Sequence, residues 1–346
     1  MGRYQRRKLE HIKYFLQSDS EPGSNGMDDI CLVHQALSCL NWQQVDTAVN
    51  FCGKRLSMPV MINAITGGAD SLAVINRQLA RAAAETGVAM AVGSQKIALD
   101  DYAADESFRV TRQENPDGVI LANVNALTPV ADVQRAVEML DADGVQLHLN
   151  PAQELSMAEG DRDFSRSAAN IAAAVRELSV PVIVKEVGFG ISRETAVALG
   201  EVGVRWVDVG GRGGTDFLKI EGLRFPEGMA QTFSGWGLPT AVSMLETKAS
   251  GYPFNLVASG GIITGLEVAK AVALGADMAG MAGVPLRILL NESYGKLIEY
   301  LQRLQTELIT AMMLTGADNI GKLSRVPMVI TGDTREWCLS RGISMS

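Results

Sequence analysis

From residue 56 onward, short apolar runs rich in Val, Ile and Ala alternate with longer stretches in which apolar residues recur at helical spacing. Eight of the short runs predict strands: Val60–Ile65, Met90–Ser94, Val119–Val124, Gly144–Leu149, Val182–Val187, Arg205–Val209, Asn255–Ser259 and Met278–Met281. The stretches between them predict helices, among them Ser71–Thr86, Val130–Leu140, Ser165–Leu178, Ser192–Glu201 and Gly265–Leu274. The fifth run, PVIVKEV, is apolar on both faces until its end, as buried parallel strands are. Strands alternating with helices imply parallel βαβ units. Eight units is the count of an α/β fold of the (β/α)8, or TIM-barrel, type. A doubly wound sheet is the alternative. Against it, no GxGxxG follows the first strand, and the glycine clusters follow many different strands.

Three regions fall outside this rhythm. Residues 1–55 read as an N-terminal extension, with 56–346 forming the barrel and its C-terminal helices. The extension opens on a basic amphipathic stretch (Arg6, Arg7, Lys8, His11, Ile12, Phe15) and runs through a turn-rich loop, SDSEPGSNGMDD, into CLVHQALSCLNW. Arg212–Pro239 is a long insertion after the sixth strand, and Phe217, Phe225, Phe233 and Trp236 favour an ordered lid over a loose loop. The tail from Asn291 predicts one or two closing helices. There is no internal repeat and no low-complexity tract.

Composition narrows the function. The 346 residues are 47% hydrophobic and 20% charged, which excludes wholesale disorder and gives a core large enough to need no staple. A net charge of −8 argues against general nucleic-acid binding but leaves room for a local basic pocket. Gly is high at 35 residues and aromatics are low at 5%, which suits tight loops closing on phosphates better than base-stacking platforms. Cys31, Cys39, Cys52 and Cys338 form no CxxC and match no zinc spacing, so they read as reduced thiols. No apolar run reaches the roughly 18 residues of a membrane span. The N-terminus lacks the apolar core of a signal peptide, and Arg6 stands where myristoylation needs Ser or Thr. A cytoplasmic protein with no membrane or nucleic-acid partner is expected.

Barrel chemistry sits at the C-terminal strand ends, and here every end carries small or hydrogen-bonding residues. In order they are Ala64-Ile65-Thr66-Gly67-Gly68, Gly93-Ser94-Gln95-Lys96, Asn123-Val124-Asn125, His148-Leu149-Asn150 with Gln153-Glu154, Lys185-Glu186-Val187-Gly188, Gly210 to Thr215, Ser259-Gly260-Gly261 and Met281-Ala282-Gly283. Gly260-Gly261 and Ala282-Gly283 follow the seventh and eighth strands, where barrels commonly bind phosphate through bare backbone N–H groups. A phosphate there, with amides and hydroxyls from the first three strands, fits a flat heterocycle across the barrel mouth and points to FMN. Lys185 has three readings: a cation beside the N1–C2=O edge of a flavin, a Schiff-base nucleophile, or a structural cation. Pairing with Glu186 is disfavoured because successive strand residues face opposite ways. His148 and Asn150 share one face; His148 reads either as a satisfied core histidine or as a ligand contact. Glu154 reads as a helix-start carboxylate or as a partner for Mg²⁺, which takes few protein ligands and keeps waters and phosphate oxygens. Arg7 and Lys8 read as a solvated face or as an anion clamp.

Taken together, these residues resemble the FMN-dependent type 2 isopentenyl-diphosphate isomerases. The resemblance spans nearly the whole chain, from Arg7-Lys8-x-x-His11 to the last phosphate loop. Its most specific pieces are Ile65-Thr66-Gly67-Gly68, Val92-Gly93-Ser94, His148-Leu149-Asn150 with Gln153-Glu154, Lys185 to Gly190, and Gly213-Gly214-Thr215. The resemblance implies FMN contacts from Ala64, Ile65, Thr66, Ser94, Asn123, Lys185, Thr215, Gly260, Gly261, Ala282 and Gly283. It implies substrate contacts from Arg7, Lys8, His148, Asn150 and Gln153, which gives the extension a part in the substrate site, and an Mg²⁺ role for Glu154. Gln153, Lys185 and His148 become the catalytic candidates. A homotetramer or homo-octamer, NADPH as reductant and a place in isoprenoid biosynthesis are also implied. Two positions depart from the family: Ile65 stands where Met is common, and Lys96 where some members have Arg, which weakens any bidentate diphosphate contact there.

The chemistry fits independently. Moving the double bond of isopentenyl diphosphate adds a proton at the terminal carbon and removes one at C2. No carbonyl acidifies that C–H, so a cationic intermediate is expected, and reduced FMN stabilises a cation and carries a proton. Gln153 is expected to position or relay the C2 proton. The alternatives are an FMN-dependent 2-hydroxy-acid oxidase and a non-catalytic flavin- or phosphate-binding barrel. The oxidase needs a His base and an Arg beyond the seventh strand, whereas the three histidines here are His11, His34 and His148. A dehydrogenase of the IMP type needs a cysteine on a barrel loop, and all four lie elsewhere.

Overall fold

Alternation of period two along each strand decides where every side chain of the sheet goes. In a computed structural model, which describes residues 3–18, 23–225 and 228–345 (side chains of 3–9 and of 70 excepted), eight parallel strands close into a barrel. They are β1 (Val60–Ile62), β2 (Ala89–Ala91), β3 (Ile120–Asn125), β4 (Gly144–Leu149), β5 (Val182–Glu186), β6 (Trp206–Asp208), β7 (Asn255–Ser259) and β8 (Met278–Met281). β8 pairs with β1 in the register Met281 to Ile62 and so closes the cylinder. Val60, Ile62, Met90, Ile120, Ala122, Val145, Val182 and Val184 point outward and pack with the surrounding helices in the larger core.

The inward residues form a second core. Met61, Ala89, Ala91, Leu121, Ile183, Val257 and Met278 fill the lower barrel. Two residues further along the same strands the interior turns polar: Met61 is followed by Asn63, Leu121 by Asn123, Ile183 by Lys185, Trp206 by Asp208 and Val257 by Ser259. Chain direction is common to all eight strands, so this switch occurs at one level and makes the upper mouth polar.

The helices follow their sequence signals. Gly265–Leu274 starts with a capping box between Thr264 and Glu267 and stops at Gly275 in the left-handed region. Asp70–Thr86 stops likewise at Gly87. The N-terminal stretch forms a helix, Arg3–Gln17, and the insertion after β6 contains the helix Phe217–Arg224.

Two features differ from the sequence expectation. The tail contains helices at Tyr294–Thr315, Ile320–Leu323 and Gly332–Arg341, but also a strand, Met328–Ile330, antiparallel to Ile30–Leu32 in the extension. A hairpin in the extension, Val49–Phe51 with Lys54–Leu56, inserts Phe51 and Leu56 into the lower barrel core and so forms its floor. Each of these strands is three residues long, too short for a periodic signal. No helix among the described residues is long and apolar enough to cross a membrane.

Candidate active site

The polar mouth opens into a cavity of about 750 Å³ lined from all eight strand ends. The barrel residues expected to contact cofactor, substrate or metal all line it: Ala64, Ile65 and Thr66 after β1, Ser94 after β2, Asn123 on β3, His148, Asn150, Gln153 and Glu154 from β4 onward, Lys185 on β5, Thr215 after β6, Gly260 and Gly261 after β7, and Ala282 and Gly283 after β8. His11 and Phe15 of the N-terminal helix also line it. Arg7 and Lys8 lie on that helix, and their side chains fall outside the described ones. Lys96 does not line the cavity; it pairs with Asp100 at 3.4 Å.

One wall is glycine. Gly260 has φ of 108°, and a Cβ there would lie 1.9 Å from the carbonyl oxygen of Gly211. A Cβ on Gly214 would meet the backbone nitrogen of Gly261 at 2.7 Å. The loops after β6 and β7 therefore interlock backbone to backbone, and only glycine permits that approach. Asn25 of the extension buttresses them: its Nδ2 donates to the Gly261 carbonyl at 2.8 Å and to Glu267 at 2.9 Å. Beside this wall the helix Gly283–Asn291 presents its N-terminus, with orphan N–H groups suited to an anion.

Lys185 lies in the barrel interior, 7% exposed. Its ammonium donates to the Glu186 carbonyl at 2.8 Å and to Ser259 Oγ at 3.2 Å, and it stands 3.2 Å from the Asp208 carboxylate. The strand register sets β5 Lys185 directly beside β6 Asp208. The sequence reading missed Asp208, although a carboxylate inside the apolar run WVDV was a signal. Glu186 faces the other way, and its Oε2 accepts from the backbone N–H groups of Gly188, Phe189 and Gly190. Burial pushes its carboxyl up from 4.5 to about 7 against those donors.

The β4 side carries a second polar cluster. Asn150 accepts from Asn125 Nδ2 at 2.7 Å and donates to Glu154 Oε1 at 2.9 Å. Glu154 Oε2 accepts from the Asp161 N–H at 2.9 Å. Glu154 sits in the first turn of the helix Pro151–Ser156, so it serves the helix start while its carboxylate lines the cavity. No group of three or more His, Cys, Asp or Glu side chains among the described residues could hold a metal, so any cation at Glu154 needs oxygens from water or a ligand.

The insertion after β6 clamps the N-terminal helix. His11 Nε2 lies 2.8 Å from Glu221 Oε1, and Arg224 joins Glu221, Glu159 at 3.0 Å and Glu10 at 3.4 Å. Burial raises the Glu221 carboxyl, but His11 and Arg224 outweigh it and hold it below its ordinary range. His11 and Glu221, and Glu10 and Arg224, are more than 200 residues apart in the chain, which put these pairs beyond any spacing argument. Arg287 lies over the Phe15 ring, 5.0 Å from its centroid.

Thr66 Oγ1, buried in the wall after β1, has no hydrogen-bond partner among the described residues. A glycine wall beside a helix N-terminus, a buried cation and an orphan hydroxyl thus line one cavity, an arrangement suited to an anionic group. The sequence matches the FMN-dependent dehydrogenase family over residues 116–329. Solved structures agree on the fold: a mandelate oxidase variant with the monooxide FMN adduct superposes with a TM-score of 0.66 at 17% identity, covering 92% of this chain and 96% of that one.

The relatives in sequence are more specific. The isopentenyl-diphosphate delta-isomerase of Moorella thermoacetica is 50% identical over 97% of this chain and 96% of its own length. That of Symbiobacterium thermophilum is 45% identical over 99% and 96%. The chain belongs to the isopentenyl-diphosphate delta-isomerase family.

Proposed function

We propose that this protein converts isopentenyl diphosphate to dimethylallyl diphosphate by protonation and deprotonation over reduced FMN, as a cytoplasmic homo-oligomer in isoprenoid biosynthesis. The observation that carries this reading is the convergence of Lys185, the glycine wall and the His148–Glu154 cluster on one cavity. Gly260, Gly261, Ala282 and Gly283 would hold the FMN phosphate. Ala64, Ile65, Thr66, Ser94, Asn123 and Thr215 would meet the ring and ribityl chain, with Thr66 Oγ1 gaining its missing partner. Bound there in its reduced form, FMN would supply an electron-rich face that stabilises positive charge and a nitrogen that carries a proton.

The protein's own residues do the rest. Lys185 sets a buried positive charge in the cavity that would stabilise the negative charge of the reduced ring. Arg7, Lys8, His148 and Asn150 bind the diphosphate, and the N-terminal helix, clamped through His11 and Glu221, delivers the first two. Glu154 would hold Mg²⁺, which would neutralise charge on the diphosphate. Gln153 positions the C2 hydrogen for removal. The apolar side chains of Phe15 and Phe217 shield the cavity from water that would capture a carbocation. NADPH serves as the reductant.

The oxidase reading finds less support. The residues after β7, Gly260 to Thr264, include no His and no Arg. The test is turnover of isopentenyl diphosphate by the FMN-loaded protein, with and without NADPH and Mg²⁺. Product formed only with both supports the reading; none despite bound, reduced FMN contradicts it. Gln153→Ala should slow turnover at least tenfold while FMN stays bound, and unchanged turnover would remove Gln153 from the mechanism.

A further inference from the structure

At the cavity floor the polar interior residues, with Asn63, Asn123 and His148 among its lining, form one continuous hydrogen-bonded chain. It starts at Asp208, whose side chain is fully buried. Asn63 Nδ2 donates to Asp208 at 2.7 Å, and Gln146 Nε2 donates to Asn63 Oδ1 at 2.9 Å. Asn123 Nδ2 donates to Gln146 Oε1 at 2.9 Å, and Asn123 Oδ1 meets His148 Nδ1 at 2.9 Å.

The polarity of this chain is fixed at one end. The Asp208 carboxylate, held by Lys185, only accepts. Asn63 must therefore present its NH₂ to Asp208. The backbone N–H of Ala64, 2.8 Å from Asn63 Oδ1, imposes the same orientation independently. Asn63 then offers only an oxygen to Gln146, Gln146 only an oxygen to Asn123, and Asn123 only an oxygen to His148. Each amide is oriented by its neighbour, so none of the three can flip alone. At the far end His148 Nδ1 has to donate.

We propose that Asp208, Asn63, Gln146 and Asn123 are positioning residues that hold neutral His148 as its Nδ1–H tautomer. Nε2 is then the nitrogen that carries the lone pair, and it is the one place where the ring gains or loses a proton. Protonation of Nε2 leaves the buried chain undisturbed, because Nδ1 donates in both states. The neutral ring accepts at Nε2 and the charged ring donates there. Contact with an anionic diphosphate requires a donor, so substrate meets His148 with the second proton in place. That last step rests on the isomerase reading; the tautomer does not.

The experiment uses the full-length, FMN-loaded protein with ¹⁵N-labelled histidine rings. Only three histidines are present, and His148→Phe assigns the relevant pair of resonances. As pH is raised until the ring is neutral, His148 is expected to show a pyrrole-type Nδ1 and a pyridine-type Nε2. A neutral ring protonated at Nε2, or a ring still doubly protonated at pH 9, overturns the proposal. Gln146→Met keeps the volume but cuts the chain. It should convert His148 to a tautomer mixture and raise KM for isopentenyl diphosphate about tenfold with kcat within about threefold. An unchanged tautomer in that variant also overturns the proposal. Should Gln146→Met fail to fold, the wild-type spectrum decides alone. Because the spectrum is read without substrate, an Nδ1–H ring in a protein that does not turn over would sink the isomerase reading and spare the relay.

Discussion

Replacing Lys185 by Met tests the electrostatic centre of the barrel. The ammonium and the Asp208 carboxylate lie 3.2 Å apart, with side-chain exposures of 9% and 0%. At an effective dielectric of about 20, their attraction is worth about 5 kcal/mol before desolvation is counted. Removing one partner of a buried pair usually costs about 3–5 kcal/mol, because the other charge stays buried and unpaired. Asp208 keeps donors from Asn63 at 2.7 Å, from the Gly210 N–H at 3.2 Å and from Ser259 Oγ. These place Lys185→Met at the lower end, about 3 kcal/mol. Unfolding entropy scales at about 2.1 cal/mol/K per residue, so a chain of 346 residues should lose about 4 °C in Tm. The double variant Lys185→Met with Asp208→Asn removes both charges and should recover part of the loss. The assay is thermal unfolding of protein freed of flavin, so that ligand binding adds nothing to either variant. A Lys185→Met protein within about 1 °C of wild type, or a double variant as unstable as the sum of the singles, would refute the reasoning.

Other outcomes follow from the same geometry. Gly260→Ala places a methyl 1.9 Å from the Gly211 carbonyl oxygen at φ of 108°; the purified protein should retain its far-UV circular dichroism but lose flavin absorbance, and full flavin content would contradict the cradle. Glu186 has its carboxyl raised from 4.5 to about 7 by burial. A raised acid means the native state binds the extra proton between those values, so wild-type stability falls as pH rises from 4.5 through 7, with the penalty complete above 7. Glu186→Gln keeps an acceptor for the three backbone N–H groups without the charge; urea titrations at pH 6 and 8 should show a flatter pH dependence than wild type, and parallel curves would exclude Glu186 as the source. His11→Ala removes the contact to buried Glu221; amide exchange over residues 10–17 should accelerate about 10- to 100-fold, whereas unchanged protection would mean that Phe15 and Arg287 hold the helix alone.

Much of the barrel was legible because its signals are local. β4, β7 and β8 begin and end where their apolar runs do, and Val130–Leu140 and Gly265–Leu274 match the helical periodicity residue for residue. The cavity residues could be found for a related reason: parallel strands put all their C-terminal ends on one side, so a list of strand ends is already a list of neighbours. What stayed hidden depends on contacts between distant segments. Phe51 reads as one apolar residue in a mixed extension, and only the closed barrel gives it a floor to fill. Asp208 stands next to Lys185 through the β5–β6 register, which no spacing in the sequence reports. The chain from Asp208 to His148 crosses β6, β1, β4 and β3, so its polarity exists only in the closed cylinder.

The central claim is that this cavity moves a double bond by adding one proton and removing another. The direct measurement is anaerobic incubation of the FMN-loaded protein with NADPH, Mg²⁺ and isopentenyl diphosphate in D₂O, with the product read by mass and NMR. The account predicts dimethylallyl diphosphate carrying solvent deuterium in a methyl group, formed only when the flavin is reduced. Product without deuterium, product formed equally well on oxidised flavin, or no product despite bound reduced FMN would contradict it.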